Sequence, residues 1–285
     1  GQGNSASASL TRRRRQGLPW RRECDTPKVA DGRRGKTERS ATVWCQDRSL
    51  QADCFVRQYR QTTEWGVLSK DELNRIDDVA VCRIFEAGRG VFRDDDPCRG
   101  IYYVTSGLVG IRKSDPQGNS VILWRLAFPG NTLGLRPLLA GEKHRGGAEA
   151  LETSTICFVS AAVVRDVLKK NPVLEHRFLQ SAARALGEAE EVYFENVTQS
   201  VRTRLAHVLS IFKDHNGRTD DDGALVLELP LTWRNISALI GVRPESLSRV
   251  IRKLDEEGWA HFSGRTVVVR DFDRLMGEIG PDGRV

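Results

Sequence analysis

The sequence predicts an α+β fold in which a β-rich domain, a long helix and a C-terminal helix-turn-helix follow one another. Between about residues 82 and 160, short apolar runs alternate with glycine-containing turns, which is typical of a small β-barrel or sandwich. Residues 161–212 have helical periodicity. Residues 232–269 combine two short amphipathic helices, a tight turn between them and a β-hairpin, which together predict a winged helix-turn-helix.

The composition is that of a soluble globular protein. The 285 residues are 39% hydrophobic and 29% charged, which suits about two domains of ordinary size. No apolar run approaches the roughly 18 residues that a membrane helix needs. The basic run Arg12–Arg15 is followed by no apolar stretch, so a secretory signal is not predicted. We therefore expect a cytoplasmic protein with no membrane partner.

The net charge of +6 reflects the N-terminal tail. Residues 1–40 hold eleven Lys or Arg and four Asp or Glu, so the other 245 residues sum to −1. This tail is rich in Arg, Gly and Ser and has no apolar period, which predicts disorder. An argument for nucleic-acid binding must therefore rest on where charges are placed.

The elements before the helix-turn-helix are predicted from capping residues and periodicity. Ser69 caps a helix over residues 69–80, with Leu73, Ile76 and Val79 on its buried face. Residues 115–120 form a hairpin turn between two strands.

The helical stretch 161–212 is expected to break at Pro172 and to contain a dimerisation seam. Apolar and small residues in segment 174–199 alternate at steps of four and three, as a coiled-coil contact requires. The alternative is that this face packs on the chain's own β-domain. The seam consists of Phe178, Ala182, Ala185, Ala189, Val192, Asn196 and Gln199.

The helix-turn-helix is predicted from its boundary residues. Thr232 caps the first helix, Gly241 ends it, and Pro244 takes the favoured first position of the second. The hairpin that follows is expected to turn at Ser263-Gly264. The residues expected to face the core are Ile236, Leu239 and Ile240 of the first helix and Leu247, Val250, Ile251 and Leu254 of the second.

The opposite face of the second helix has the chemistry of base recognition. Recognition helices place their N-terminal residues against base edges in the major groove, where Arg binds guanine and Glu accepts from cytosine. An ordinary charged surface helix is the alternative. The candidate DNA-binding residues are Arg243, Glu245, Ser248, Arg249 and Arg252.

The stretch LTWRNISALIGVRPESLSRVIRKLDEEGW resembles the winged helix-turn-helix of CRP/FNR regulators, and the segment E-S-L-S-R resembles the E-x-x-S-R reading motif of the FNR branch. The resemblance covers about residues 45–275. It implies that Glu245, Ser248 and Arg249 read bases as part of a homodimer. The implied partners are a palindromic double-stranded site similar to TTGAT-N4-ATCAA and RNA polymerase.

The resemblance also implies a domain order that ends in residues 200–285 as the DNA-binding domain. The preceding parts are a disordered tail (1–40), a cysteine-containing segment with a linker (41–68), a sensory β-roll like those that bind cyclic nucleotides (69–172), and a dimerisation helix (173–199).

The predicted β-roll lacks key residues for a cyclic nucleotide. Gly134 and Arg145 match the family's phosphate pocket, but Leu135 replaces the ribose-binding Glu and Gly146 replaces a Ser. Without that carboxylate the ribose hydroxyl loses its acceptor, so cAMP binding is not expected.

Three cysteines resemble the ligands of the [4Fe-4S] cluster in oxygen-sensing members of the family. Cys45, Cys54 and Cys157 match in position, but Arg48 stands at the middle ligand position and has no lone pair for iron. Three interpretations remain open: a cluster with a substitute ligand (Asp47, Asp53, Cys24 or an external thiolate), a thiol redox switch, or a regulator that has lost its sensor. Buried thiols are expected for Cys82 and Cys98.

Other function classes have less support from the sequence. The histidines show no metal-ligand spacing, and no P-loop or nucleophile motif is present, so an enzyme is not expected. An effector-binding protein without DNA affinity and a haem-sensing relative are the remaining alternatives.

Overall fold

The computed structural model describes residues 63–117, 120–221 and 223–277, all within one structural unit. The predicted tail and the candidate ligands Cys45 and Cys54 lie outside the described residues. A short 3-10 helix, Glu64–Val67, precedes helix α1, Lys70–Val79. Ser69 and Glu72 form a capping box, which confirms the predicted start of α1. Val79 was expected on the buried face but is 49% exposed.

Two antiparallel four-stranded sheets form the β-roll. Their orders are β1-β8-β3-β6 and β2-β7-β4-β5, so the edge strands of the first sheet are β1 and β6. The strands are β1 (Val81–Phe85), β2 (Gly90–Phe92), β3 (Gly100–Ser106), β4 (Val109–Ser114), β5 (Ser120–Ala127), β6 (Thr132–Leu133), β7 (Gly147–Ala150) and β8 (Ser154–Ser160). The strands on either side of the predicted turn, β4 and β5, are antiparallel partners, with Ser114 opposite Ser120.

Helices complete the sensory half. Helix α2, Leu135–Ala140, lies between β6 and β7, and helix α3, Ala161–Lys170, follows β8. Helix α4, Pro172–Thr198, begins at the predicted break. A second break that was not predicted separates α4 from α5, Val201–Asn216, where Ser200 caps the new helix through Thr203 N–H.

The C-terminal half contains the predicted helix-turn-helix and hairpin. The helices are α6, Trp233–Leu239, and α7, Pro244–Glu256; a short helix α8, Phe272–Gly277, ends the described chain. The wing turns at Gly264-Arg265, one residue later than predicted. The four strands of its sheet are β9 (Gly217–Thr219), β10 (Leu225–Glu228), β11 (Ala260–Ser263) and β12 (Thr266–Val269).

One hydrophobic cluster joins the β-roll to the helix-turn-helix. Leu108, Ile122 and Leu126 of the roll belong to the same buried cluster as Leu205 of α5 and Ile236 of α6. Because one core spans both halves, the position of α6 depends on the packing of β4 and β5. None of the described helices is long and apolar enough to cross a membrane.

Candidate functional site

The outer face of α7 is exposed, and its inner face anchors the helix. Leu247 and Leu254 are 1% and 0% exposed, while Val250 and Ile251 are partly buried against the same cluster. Pro244 takes the first helical position, as predicted. All five candidate DNA-binding residues are solvent-exposed: Arg243, Glu245, Ser248, Arg249 and Arg252.

The turn before α7 is held by a residue outside the motif. Gly241 has a left-handed φ of 66°, which favours glycine at the end of α6. One nitrogen of the Arg204 guanidinium on α5 donates to the Ile240 carbonyl oxygen (2.6 Å) and to Asn196 Oδ1 on α4 (2.7 Å). Burial lowers the pKa of Arg204, but an arginine remains charged at neutral pH. Arg204 therefore joins the end of α4 to the turn that sets the direction of α7.

The wing is tied to the first helix of the motif. Trp233 Nε1 donates to the Gly264 carbonyl oxygen at 2.7 Å, and the Trp233 ring meets Phe262 edge-on at 5.5 Å. These contacts place the exposed hairpin tip at a fixed position relative to α6. Sequence periodicity gave no signal for this link, because the two residues are 31 positions apart.

The end of α7 is fixed by stacking of cations on an indole ring. The guanidinium groups of Arg202 and Arg274 lie 4.0 Å and 4.4 Å from the centre of the Trp259 ring. Arg202 also donates to Glu257 at 2.7 Å. Arg204 and Arg202, both on α5, thus hold the residues that precede and follow α7.

The first residue of the predicted dimerisation seam lies in the chain's own core. Phe178 is 0% exposed and meets Trp65 edge-on at 5.1 Å, within the chain's own core. Asn196 is exposed, and Gln199 is half-buried just after the end of α4. The other seam residues are half-buried on the helix: Ala182, Ala185, Ala189 and Val192. The alternative considered from the sequence, packing on the β-domain, describes Phe178 correctly.

A second apolar stripe on α4 faces solvent. Leu179, Leu186, Tyr193 and Val197 are 54%, 62%, 73% and 69% exposed. With Ala183 and Glu190, which are also exposed, they follow steps of four and three residues. This stripe, which we call the outer seam, satisfies the spacing of a coiled-coil contact.

Arg112 joins the β-roll to the helix-turn-helix. Its guanidinium donates to Glu149 on β7 (2.8 Å), Ser120 on β5 (3.0 Å) and Asn235 on α6 (2.8 Å). The side chain is only 18% exposed. A planar guanidinium can serve three partners on three elements at once.

We expect Arg112→Ala to lower the free energy of unfolding by about 1–3 kcal/mol, because it leaves partly buried acceptors without their donor. Lys143→Ala is the matched control, since Lys143 forms an exposed pair with Asp95 and such pairs add little stability. Urea unfolding of both variants measures the difference. Equal unfolding midpoints would show that the Arg112 contacts add nothing.

The residues at the positions of the family's nucleotide pocket do not form a nucleotide site. Leu135 is 8% exposed and belongs to the core beneath α4. Arg145 is 71% exposed and pairs with Glu142 at 3.1 Å. A side chain at Gly146 would bring its Cβ within 2.9 Å of Ile111 Cγ2, so the Ser of nucleotide-binding relatives has no room without a shift.

Within the roll, a histidine ring stacks on a phenylalanine ring. The His144 ring stacks on Phe92 at 3.8 Å and is 4% exposed. Burial lowers the pKa of His144. The histidine is therefore neutral at pH 7, and it supplies no charge for a phosphate group.

We expect isothermal titration of the full chain with cAMP at about 1 mM, the upper end of the range in which proteins commonly bind small substrates, to give no binding heat. Leu135 cannot accept from a ribose hydroxyl, and His144 is uncharged. A saturable heat with one site per chain would contradict this reading of the pocket.

One candidate cluster ligand is bonded to a cysteine for which no such role was predicted. Cys157 on β8 forms a disulfide with Cys82 on β1. The sequence predicted a cluster ligand at Cys157 and a buried free thiol at Cys82. Cys98 has a free, half-buried thiol, which donates to the carbonyl oxygens of Gly100 (3.4 Å) and Gly134 (3.5 Å). Among the described residues, no group of three His, Cys, Asp or Glu side chains is arranged to hold a metal ion.

Comparisons with known proteins agree with both halves of this architecture. Residues 82–171 match the model of the cyclic nucleotide-binding domain, and residues 203–277 match the Crp-like helix-turn-helix domain. The chain belongs to the CRP/FNR family of transcription regulators. It is a DNA-binding transcription regulator.

Named relatives of this CRP/FNR regulator are distant but span most of its length. The regulatory protein HlyX of Actinobacillus pleuropneumoniae is 23% identical over 82% of this chain and 93% of its own. The anaerobic regulatory protein of Pasteurella multocida is 21% identical over 82% of each chain. The structure of FixK2 from Bradyrhizobium japonicum superposes with a TM-score of 0.60 at 24% identity, covering 70% of this chain and 96% of FixK2.

Proposed function

We propose that this regulator binds a palindromic DNA site as a homodimer and reads it with Glu245, Ser248 and Arg249. The observation that carries the proposal is the exposed outer face of α7, presented beside a rigidly attached wing. Arg249 donates to a guanine edge, Glu245 accepts from cytosine N4, and Ser248 bonds to either partner. Arg243 and Arg252 lie beside them on the same side and contact phosphates.

The homodimer forms through the outer seam of α4. Leu179, Leu186 and Tyr193 are seven residues apart, so each would face its counterpart in a parallel pair of helices. The occupant is a second copy of this chain because a two-fold symmetric site requires two identical reading helices. Glu190 lies within the seam and faces the same residue of the second copy, which keeps the pair weak enough to regulate.

Control by oxygen or redox state fits the relatives, one of which is named an anaerobic regulatory protein. Of the three candidate cluster ligands, only Cys157 lies within the described residues, and while it is bonded to Cys82 it offers no thiolate to a [4Fe-4S] cluster. At the middle ligand position of the sequence, Arg48 cannot ligate iron. The regulator works where the DNA is, in the cytoplasm, with RNA polymerase as its partner at promoters.

Fluorescence anisotropy with three duplexes tests the proposal: TTGAT-N4-ATCAA, the same duplex with one half-site scrambled, and one with both scrambled. We expect the intact site to bind about 10³-fold or more tightly than the fully scrambled duplex at physiological salt. The single half-site should fall between them. Equal affinity for all three would overturn sequence-specific reading.

A further inference from the structure

Two cysteines that the DNA-binding function does not use face each other across neighbouring strands. Cys82 on β1 and Cys157 on β8 are direct partners in the strand register, and their sulfurs are joined. Both side chains are buried, at 4% and 3% exposure. They belong to the cluster beneath α4 that also contains Trp65, Leu174 and Phe178.

A disulfide is unusual in a protein that binds DNA inside the cell. The compartment that holds bacterial DNA keeps thiols reduced, so disulfides found there are usually transient and redox-sensing. We propose that Cys82 and Cys157 form a reversible dithiol–disulfide switch that changes the packing beneath α4. This inference rests on the proposed dimer and deepens the proposed redox control.

The chemistry needs only a small peroxide as oxidant and a dithiol as reductant. The thiolate of one cysteine attacks the peroxide O–O bond, becomes a sulfenic acid and releases water. The second thiol then attacks that sulfur, the S–S bond forms and a second water leaves. Two thiols are oxidised and one hydrogen peroxide is reduced to two waters; a dithiol reverses the reaction by exchange.

The position of β1 gives the oxidant access. Because β1 is an edge strand of its sheet, it can open locally without breaking two rows of strand pairing. Neighbouring Ile84 on β1 is already 48% exposed. A molecule of the size of hydrogen peroxide can therefore reach a sulfur that is buried on average.

The cluster links the sulfurs to the dimer helix. Bonded sulfurs lie about 2.05 Å apart, whereas unbonded heavy atoms pack at about 3.5–4.0 Å. In a close-packed core, the side chains around the two sulfurs must move to accommodate the longer distance between the reduced sulfurs. Leu174 and Phe178, both 0% exposed, form the buried base of α4, and the outer seam begins at the next residue, Leu179. We therefore expect reduction to change the packing of the cluster that holds the base of α4.

Thiol trapping tests the chemical half of the switch. The full chain is treated with hydrogen peroxide or with dithiothreitol, alkylated under denaturing conditions and digested for mass spectrometry. We expect a peptide pair linked through Cys82 and Cys157 after peroxide, lost after dithiothreitol. Cys98→Ala is the matched control and should change neither result. Alkylation of both Cys82 and Cys157 after peroxide treatment would overturn the proposal.

Sedimentation and anisotropy of the same two samples test the coupling. We expect the oxidised chain to dimerise at least about fivefold more tightly than the reduced chain, a typical coupling magnitude. The Cys82→Ala/Cys157→Ala variant should lose this difference, and the unmodified chain gives the answer even if the variant is unstable. Equal dimerisation in both states would overturn the switch while leaving the proposed function intact. If neither sample prefers the intact duplex, the proposed function fails, while the dimerisation constants still decide the switch.

Discussion

Replacing Arg249 by alanine is expected to weaken binding to the intact palindrome by about 100-fold or more. A bidentate arginine–guanine contact contributes about 1–3 kcal/mol of discrimination, and a homodimer makes the contact twice. The fold should be unaffected, because Arg249 is exposed on the outer face of α7. Anisotropy with the intact duplex and with duplexes substituted at each base pair measures both the loss and the base pair at which discrimination is relaxed.

Arg165→Ala is the control for this change. Arg165 is an exposed arginine on α3, far along the chain from the helix-turn-helix, so the variant loses the same charge without touching the reading face. Its affinity should equal that of the unmodified chain. If Arg249→Ala bound every duplex more weakly by one constant factor, Arg249 would be a phosphate contact and the assignment of base reading would be wrong.

Leu186→Glu is expected to raise the dimer dissociation constant by about 100-fold or more. Leu186 is 62% exposed in one chain and central in the outer seam, so the monomer tolerates the charge while the helix pair would bury two of them. Sedimentation velocity measures the loss of dimer. Affinity for the palindrome should fall with it, whereas binding to a single half-site should stay the same.

Gln180→Glu is the matched control on the same helix. It adds one negative charge at an exposed position outside the outer seam and should leave the dissociation constant unchanged. A Leu186→Glu chain that still dimerised would place the interface elsewhere on the molecule.

The spacing of apolar residues on α4 does not by itself identify the face that forms the dimer. A helix of 3.6 residues per turn can carry two stripes with steps of four and three, and both are present between residues 174 and 199. Phe178 of one stripe is buried against Trp65 in the chain's own core, whereas Leu186 of the other stripe is 62% exposed. The heptad repeat of Leu179, Leu186 and Tyr193 was visible in the sequence, yet only the partners of Phe178 distinguish the two.

The helix-turn-helix was predictable because its signals are local. Thr232, Gly241 and Pro244 each act within one turn of backbone, and the structure confirms all three. Contacts between residues that are far apart in the sequence have no such local signal. Cys82 meets Cys157 from 75 positions away because β1 pairs with β8. Arg112 meets Asn235 from 123 positions away because α6 packs on the β-roll.

Two copies of this chain should read one symmetric DNA sequence. Selection of bound duplexes from a randomised pool by the full chain, followed by sequencing, measures this without assuming a site. We expect an enriched inverted repeat, with half-site centres about one helical turn apart. Enrichment of no sequence, of a lone half-site or of a direct repeat would contradict it.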